Sequence, residues 1–152
     1  MTTELKTLFL ATSPILELRG AIPVAISVYH LHPISAFLFS VIGNLIPVVL
    51  ILWLIEPVSN FLSKKSKLIN SFFKWLFNHT RSNHQKKFEI YKEFALVLFV
   101  AIPLPFTGGY TGAIAAFVFG IKKWVALPLI FLGIIIAGVF VTLINLSIIS
   151  LI

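Results

Sequence analysis

The sequence has no cysteine and no aspartate, and its 152 residues include a single methionine. Without cysteine there is no disulfide, no thiolate metal site and no cysteine nucleophile. The five acids are all glutamates, at 4, 17, 56, 89 and 93, and the four histidines are scattered, so no metal-ligand spacing such as HExxH arises. No metal and no cofactor is expected. Charge of either sign is scarce, at 11% of residues, whereas 59% are hydrophobic and the mean hydropathy is +1.03. A soluble domain of this length cannot hide so much apolar surface. The composition therefore excludes a soluble enzyme, a disordered chain and a disulfide scaffold, and predicts an all-α integral membrane protein.

The net charge of +7 has to be read by position. Lys64, Lys65, Lys67, Lys74, Arg81, Lys86, Lys87 and Lys92 are eight of the twelve basic residues and fall in one quarter of the chain. In a soluble protein such a balance suggests nucleic acid. In a membrane protein it marks the cytoplasmic side, and no nucleic-acid partner is expected. The N-terminus does not read as a cleavable signal, because Pro14, Glu17 and Arg19 interrupt its apolar run.

Five segments follow. Residues 7–30 and 94–121 are apolar but broken in the middle. Residues 34–56 and 124–152 are clean apolar runs, each long enough to span a bilayer as a helix. Residues 57–93 are basic, with Val58, Phe61, Leu62, Ile69, Phe72, Phe73 and Leu76 near helical spacing, which predicts an amphipathic segment lying in the cytoplasmic headgroup layer. The alternative is a loop that is basic for topology alone. Trp53, Trp75 and Trp124 lie near segment ends, where interfacial aromatics are common.

The two breaks are PILELRGAIP (14–23) and PLPFTGGYTG (103–112), which hold four of the eight prolines and four of the eight glycines: Pro14, Gly20, Pro23, Pro103, Pro105, Gly108, Gly109 and Gly112. Helix breakers at mid-depth argue against plain spans and for re-entrant hairpins, each arm a half-helix of about ten residues or roughly 15 Å. Pro14 aligns with Pro103 and Gly20 with Gly109, 89 residues on, and Gly43 with Gly133 after one insertion. Each half then reads as a re-entrant hairpin followed by a transmembrane helix, and with one crossing per half the second half is inverted. That topology puts the basic segment and Lys122–Lys123 on one side, in keeping with the positive-inside bias, whereas four full spans separate them.

Glu17 and Arg19 stand in the first break. An ionised group at bilayer depth costs about 2.5–3.5 kcal/mol on insertion scales. Glu17 is a candidate proton acceptor and Arg19 a candidate anion or counter-ion site, with Gly20 unwinding the tip so that both face one cavity. A salt bridge that staples the tip is the competing reading. The second break offers Thr107, Tyr110 and Thr111 as an uncharged polar lining, or else simply close helix packing around its glycines. Asn44 and Asn145 read as interhelical hydrogen bonds, and His30 and His32 as a solvated turn.

SPILELRGAIPVAI, followed by GNLIP and later by AIPLPFTGGYTGAIAA, resembles the small multidrug export family over nearly the whole chain. Phe106 stands where a small residue is expected, which narrows the second tip. That family is remotely similar to the DedA and VTT-domain membrane proteins. The resemblance implies two opposed re-entrant hairpins, with Glu17 and Arg19 matching acidic and basic tip residues in type. It implies a membrane translocator rather than an enzyme, exporting a small molecule with proton coupling. The alternatives are DedA-like movement of a polyprenyl or phospholipid phosphate, and a non-transporting scaffold or accessory subunit. A multi-pass location in the cytoplasmic (inner) membrane and a homo-oligomer are expected, since two spans scarcely enclose a pathway.

The absence of cysteine makes this topology testable. Single cysteines replacing Leu31, Asn83 and Lys122 are exposed to an impermeant thiol reagent in intact cells. Labelling at 31 with protection at 83 and 122 is expected; labelling at 122 with protection at 83 contradicts the re-entrant second hairpin.

Overall fold

The computed structural model describes residues 2–81, 86–102 and 107–151, and these are all-helical. The helices are α1 (Thr3–Ala11), α2 (Glu17–Ser27), α3 (Pro33–Lys65), α4 (Lys67–Arg81), α5 (Lys86–Ala101), α6 (Gly109–Val118) and α7 (Lys123–Leu151). Two of them, α3 and α7, are long and apolar enough to cross a membrane.

Helix α3 starts where Pro33 occupies the first turn, a position in which a missing N–H costs nothing. The His32 ring Nδ1 accepts from the Ile34 N–H at 3.4 Å and caps it. The helix carries on past residue 56 to Lys65, with Lys64 and Lys65 in its last turn, where cations suit the carbonyl end. At about 1.5 Å per residue it is roughly 50 Å long, more than a hydrocarbon core needs. The basic segment 57–93 thus comprises the end of α3, all of α4 and the start of α5.

Both broken segments are pairs of short helices. Helices α1 and α2 flank the turn at 12–16 and pack on each other, and so do α5 and α6. The first arm of each pair lies on the long helix of its own half, α1 on α3 and α5 on α7. A glycine permits each approach. A Cβ at Gly43 would strike the Leu8 carbonyl oxygen and stand 2.9 Å from the Ala11 Cβ. A Cβ at Gly133 would stand 2.7 Å from the Val100 Cβ and 3.1 Å from the Val97 carbonyl oxygen. The second arms cross over: α2 also packs on α7, and α6 on α3.

The two halves share one burial pattern. Ala36, Ser40, Gly43, Asn44, Pro47 and Val48 are buried on α3, and the residues 90 further on, Ala126, Ile130, Gly133, Ile134, Ala137 and Gly138, are buried on α7. In the second arms the spacing is 91: Leu18, Ala21, Ile22 and Ala25 correspond to Gly109, Gly112, Ala113 and Ala116. Gly20 and Gly109 are therefore not equivalent in the fold. Gly20 sits inside α2, whereas Gly109 opens α6. The aliphatic core runs between the halves through Leu18, Ile22, Val48, Val100, Ile130 and Ile134, each under 3% exposed.

Because Gly133 and Gly43 carry equivalent contacts, Gly133→Val and Gly43→Val are each expected to cost about 1–3 kcal/mol through overpacking. Thermal unfolding in detergent reads this. Melting points equal to that of the exposed-site control Ile114→Val would show that the arms do not pack there.

Candidate functional site

The two breaks meet, and their backbone ends are what they exchange. A helix leaves its last carbonyls and first N–H groups without partners, and no water reaches them in an apolar setting. Ile102 lies just past the end of α5. Its carbonyl accepts from Arg19 Nη2 at 3.1 Å and from the Thr107 hydroxyl at 2.7 Å, and Arg19 also donates to Thr107 Oγ1 at 3.2 Å. Thr12 lies just past the end of α1, and its carbonyl accepts from the Tyr110 hydroxyl. Each second arm thus sends one side chain from its first turn to the carbonyl end of the other half's first arm.

Glu17 completes the contact. Its carboxylate lies against Gly108, at the start of α6, and hydrogen-bonds the Tyr110 backbone. An anion suits a helix N-terminus, and a cation suits a C-terminus, by about 0.3–1 kcal/mol at exposed sites and more when partly buried. Glu17 and Arg19 therefore bracket the second break, the base at the end of α5 that leads into it and the acid at the start of α6 that leaves it. The expectation that Gly20 unwinds the tip so that both charges face one cavity is corrected here. Arg19 and Gly20 are within α2, so the tip is helical there rather than unwound; Arg19 reaches the Ile102 carbonyl and Thr107, while Glu17 lies against Gly108.

The local backbone explains why Glu17 can do this. Its φ is 46°, a left-handed conformation that costs a non-glycine residue about 1 kcal/mol or more and turns the chain from the 12–16 turn into α2. At the spacing of 91 its counterpart is Gly108, whose backbone is extended and open to any residue. Glycine is needed at 108 for proximity, because any side chain there would fall on the Glu17 carboxylate. One tip carries an acid where the other carries only hydrogen, and the acid fills the space that this leaves.

The other predicted tip residues divide. Thr111 caps its own helix, its hydroxyl accepting from the Gly108 N–H at 2.9 Å, so that oxygen is committed to the local turn. Gly112 is a packing residue: a Cβ there would stand 2.5 Å from Val100 Cγ2. Pro14 lies in the 12–16 turn and Pro23 inside α2. Pro103, Pro105 and Phe106 lie outside the described residues. No group of three or more potential metal ligands occurs among the described residues.

The sequence predicts an interhelical hydrogen bond for Asn44. The residue is wholly buried on α3, but neither its amide nitrogen nor its oxygen has a partner, and Ser40, one turn away, is buried with its hydroxyl equally unpartnered. The amide faces the first turn of α6, where a Cβ on Gly109 would stand 3.2 Å from Asn44 Oδ1. An unsatisfied buried polar group costs about 1–3 kcal/mol, so two of them in one place call for a partner. Their counterparts in the second half are Ile130 and Ile134. Asn145 Oδ1 is also unpartnered, against the same expectation. Sequence could have flagged Ser40 and Asn44, four apart on one face of an otherwise apolar helix, but not that they lie beneath the tips.

Two helices able to cross a membrane and two broken helix pairs joined through Glu17 and Arg19 make up an all-helical protein. Residues 17–140 match the family described as "Putative small multi-drug export protein", and the chain belongs to that family. No curated protein and no solved structure matches the chain.

The contact makes a sharp prediction. Gly108→Ala is expected to destabilise the protein by about 1–3 kcal/mol, because the new methyl displaces the Glu17 carboxylate. In a Glu17→Ala background the same change is expected to cost little, a coupling of about 0.5–3 kcal/mol measured by a double-mutant cycle of melting points. Strict additivity would mean that the two residues do not touch.

Proposed function

We propose that the protein is an integral membrane translocator that exports a small molecule by proton coupling, with the contact between the two tips as its gate. The observation that carries this reading is the Glu17 carboxylate held at the start of α6 against Gly108. A charge–dipole contact of this kind has two states. It holds while the carboxylate is ionised, and it loosens when a proton removes the charge or an anion takes the carboxylate's place. Beneath it, Ser40 and Asn44 supply unpartnered polar groups to a solute or a water. Thr107 and Tyr110 line the same contact, while Arg19 holds the end of α5 and balances charge.

Exposure supports the membrane assignment. Only 39% of the apolar window of α3 and 28% of that of α7 is buried within the chain, whereas the core helix of a soluble protein is mostly covered. Ile34, Leu38, Ile42, Ile46 and Leu50 form an open apolar stripe along α3. On this reading α3 and α7 span an inner membrane, each short pair enters and leaves from one side as a re-entrant hairpin, and the duplicated halves are inverted. Residues 57–93 then lie at the cytoplasmic surface. Two spans do not enclose a pathway, so the working unit is a homo-oligomer whose copies cover part of the open stripe. A second reading, movement of a lipid phosphate, is favoured by the Arg19 guanidinium at the second break beside the Thr107 hydroxyl, donors suited to phosphate.

Export of a cationic drug and movement of a polyprenyl phosphate in proteoliposomes separate the two. For proton-coupled export, Glu17→Gln is expected to lower proton-driven flux of the cation at least tenfold, and Arg19→Gln to lower it less. If lipid-phosphate movement is the activity, Arg19→Gln is the more damaging change and the drug flux is indifferent to both. Full activity of both variants in both assays overturns translocation through this site.

A further inference from the structure

A second polar feature lies away from the tips, at the end of the molecule where α3 emerges beyond its apolar run. A cavity of about 360 Å³ opens there between α3, α4 and the turn joining α6 to α7. Its size falls within the ~300–1,000 Å³ of small-ligand sites. Its walls carry charges of both signs: Glu56 on α3, and Lys122 and Lys123 on the turn into α7. No ion pair joins Glu56 to either lysine among the described residues. Lys123 instead lies over the Trp53 ring, 4.5 Å from its centroid, and Trp53 packs edge-on against Trp124, another wall residue, at 5.4 Å. Phe77 of α4 closes the far side.

Three features point to the occupant. An acid and two bases held apart across an open volume complement a ligand that itself carries both signs. A purely anionic group would meet Glu56, and a purely cationic one would meet both lysines. The paired tryptophans set the depth, since indoles collect at the headgroup layer. Helix α4 supplies the apolar neighbour: Leu68, Phe72 and Trp75 share one face and are 84%, 56% and 61% exposed. The opposite side of α4 is docked, with Phe77 against Phe117 and Thr80 donating to the Val118 carbonyl. Its exposed stripe is left on the side of α4 away from Phe77, open for acyl chains to rest on.

We propose that this cavity is a binding site for the headgroup of a zwitterionic aminophospholipid, with the phosphate at Lys122 and Lys123 and the primary ammonium at Glu56. The site rests on the membrane assignment but not on translocation, and it gives a role to Glu56, the acid that shares the cavity wall with a lysine pair.

Purified protein in detergent, carrying Trp75→Phe so that Trp53 and Trp124 report, is titrated with dihexanoyl phosphatidylethanolamine below its micelle concentration. Dihexanoyl phosphatidylglycerol and soluble phosphoethanolamine are the comparison probes. Saturable fluorescence change is expected with the ethanolamine lipid, at least fivefold tighter than with the glycerol lipid or phosphoethanolamine. Glu56→Gln is expected to abolish the preference over the glycerol lipid, and Lys122→Gln with Lys123→Gln to weaken both lipids. Equal affinity for the two lipids in the unmutated site, or no effect of Glu56→Gln, overturns the ammonium assignment. Phosphoethanolamine binding as tightly as the lipid overturns the lipid as ligand. Glu56 and Lys122 are exposed, so these changes leave the core intact, and flux measured through Glu17 is expected to stay unchanged in them.

Discussion

The arrangement depends on what happens to broken helices when no water is at hand. Each break leaves carbonyls at the end of one short helix and N–H groups at the start of the next, and in an apolar setting each such group costs several kcal/mol if left bare. Neither break supplies all its own partners. Arg19 takes the Ile102 carbonyl, Tyr110 takes the Thr12 carbonyl, and Glu17 takes the start of α6. The two short pairs are held together because each contains what the other lacks. Pairing this way also places the only acid of the first broken segment where a helix dipole favours its charge.

The two halves are alike where they pack and unlike where they are polar. Gly43 and Gly133 admit equivalent arms, and the buried faces of α3 and α7 repeat at one spacing. Glu17 corresponds to Gly108, and Ser40 and Asn44 correspond to Ile130 and Ile134. The polar groups of one half thus face small or apolar residues of the other. On the proposed reading this difference makes a gate: one acid, one receiving helix end, and two unpartnered polar groups below. On the same proposed reading the lysine-rich end of the molecule is a separate device, concerned with the headgroup layer rather than with passage.

Much of the framework was legible because its signals are local. Proline and glycine clusters marked both breaks, apolar length marked α3 and α7, and the scarcity of charge drew attention to Glu17 and Arg19. The partners of those charges were not legible. Which carbonyl Arg19 reaches depends on packing between segments more than eighty residues apart, and the vacancy at Gly108 is informative only once Glu17 lies over it. The pairing of Gly20 with Gly109 misled for the same reason: glycines are common at breaks, and the true register follows the buried faces instead. The unpartnered state of Asn44 was invisible too, because an asparagine on an apolar helix reads the same whether or not a partner waits across the interface.

The central claim is that the tip of the first pair touches the start of α6 at Glu17 and Gly108. The chain has no cysteine of its own, so Glu17→Cys with Gly108→Cys can be treated in native membranes with a short bifunctional thiol reagent. Rapid intramolecular cross-linking of this pair, with none between Glu17→Cys and Gly120→Cys, is the predicted result. Failure of the first pair to link, or equal linking of both, would contradict the account.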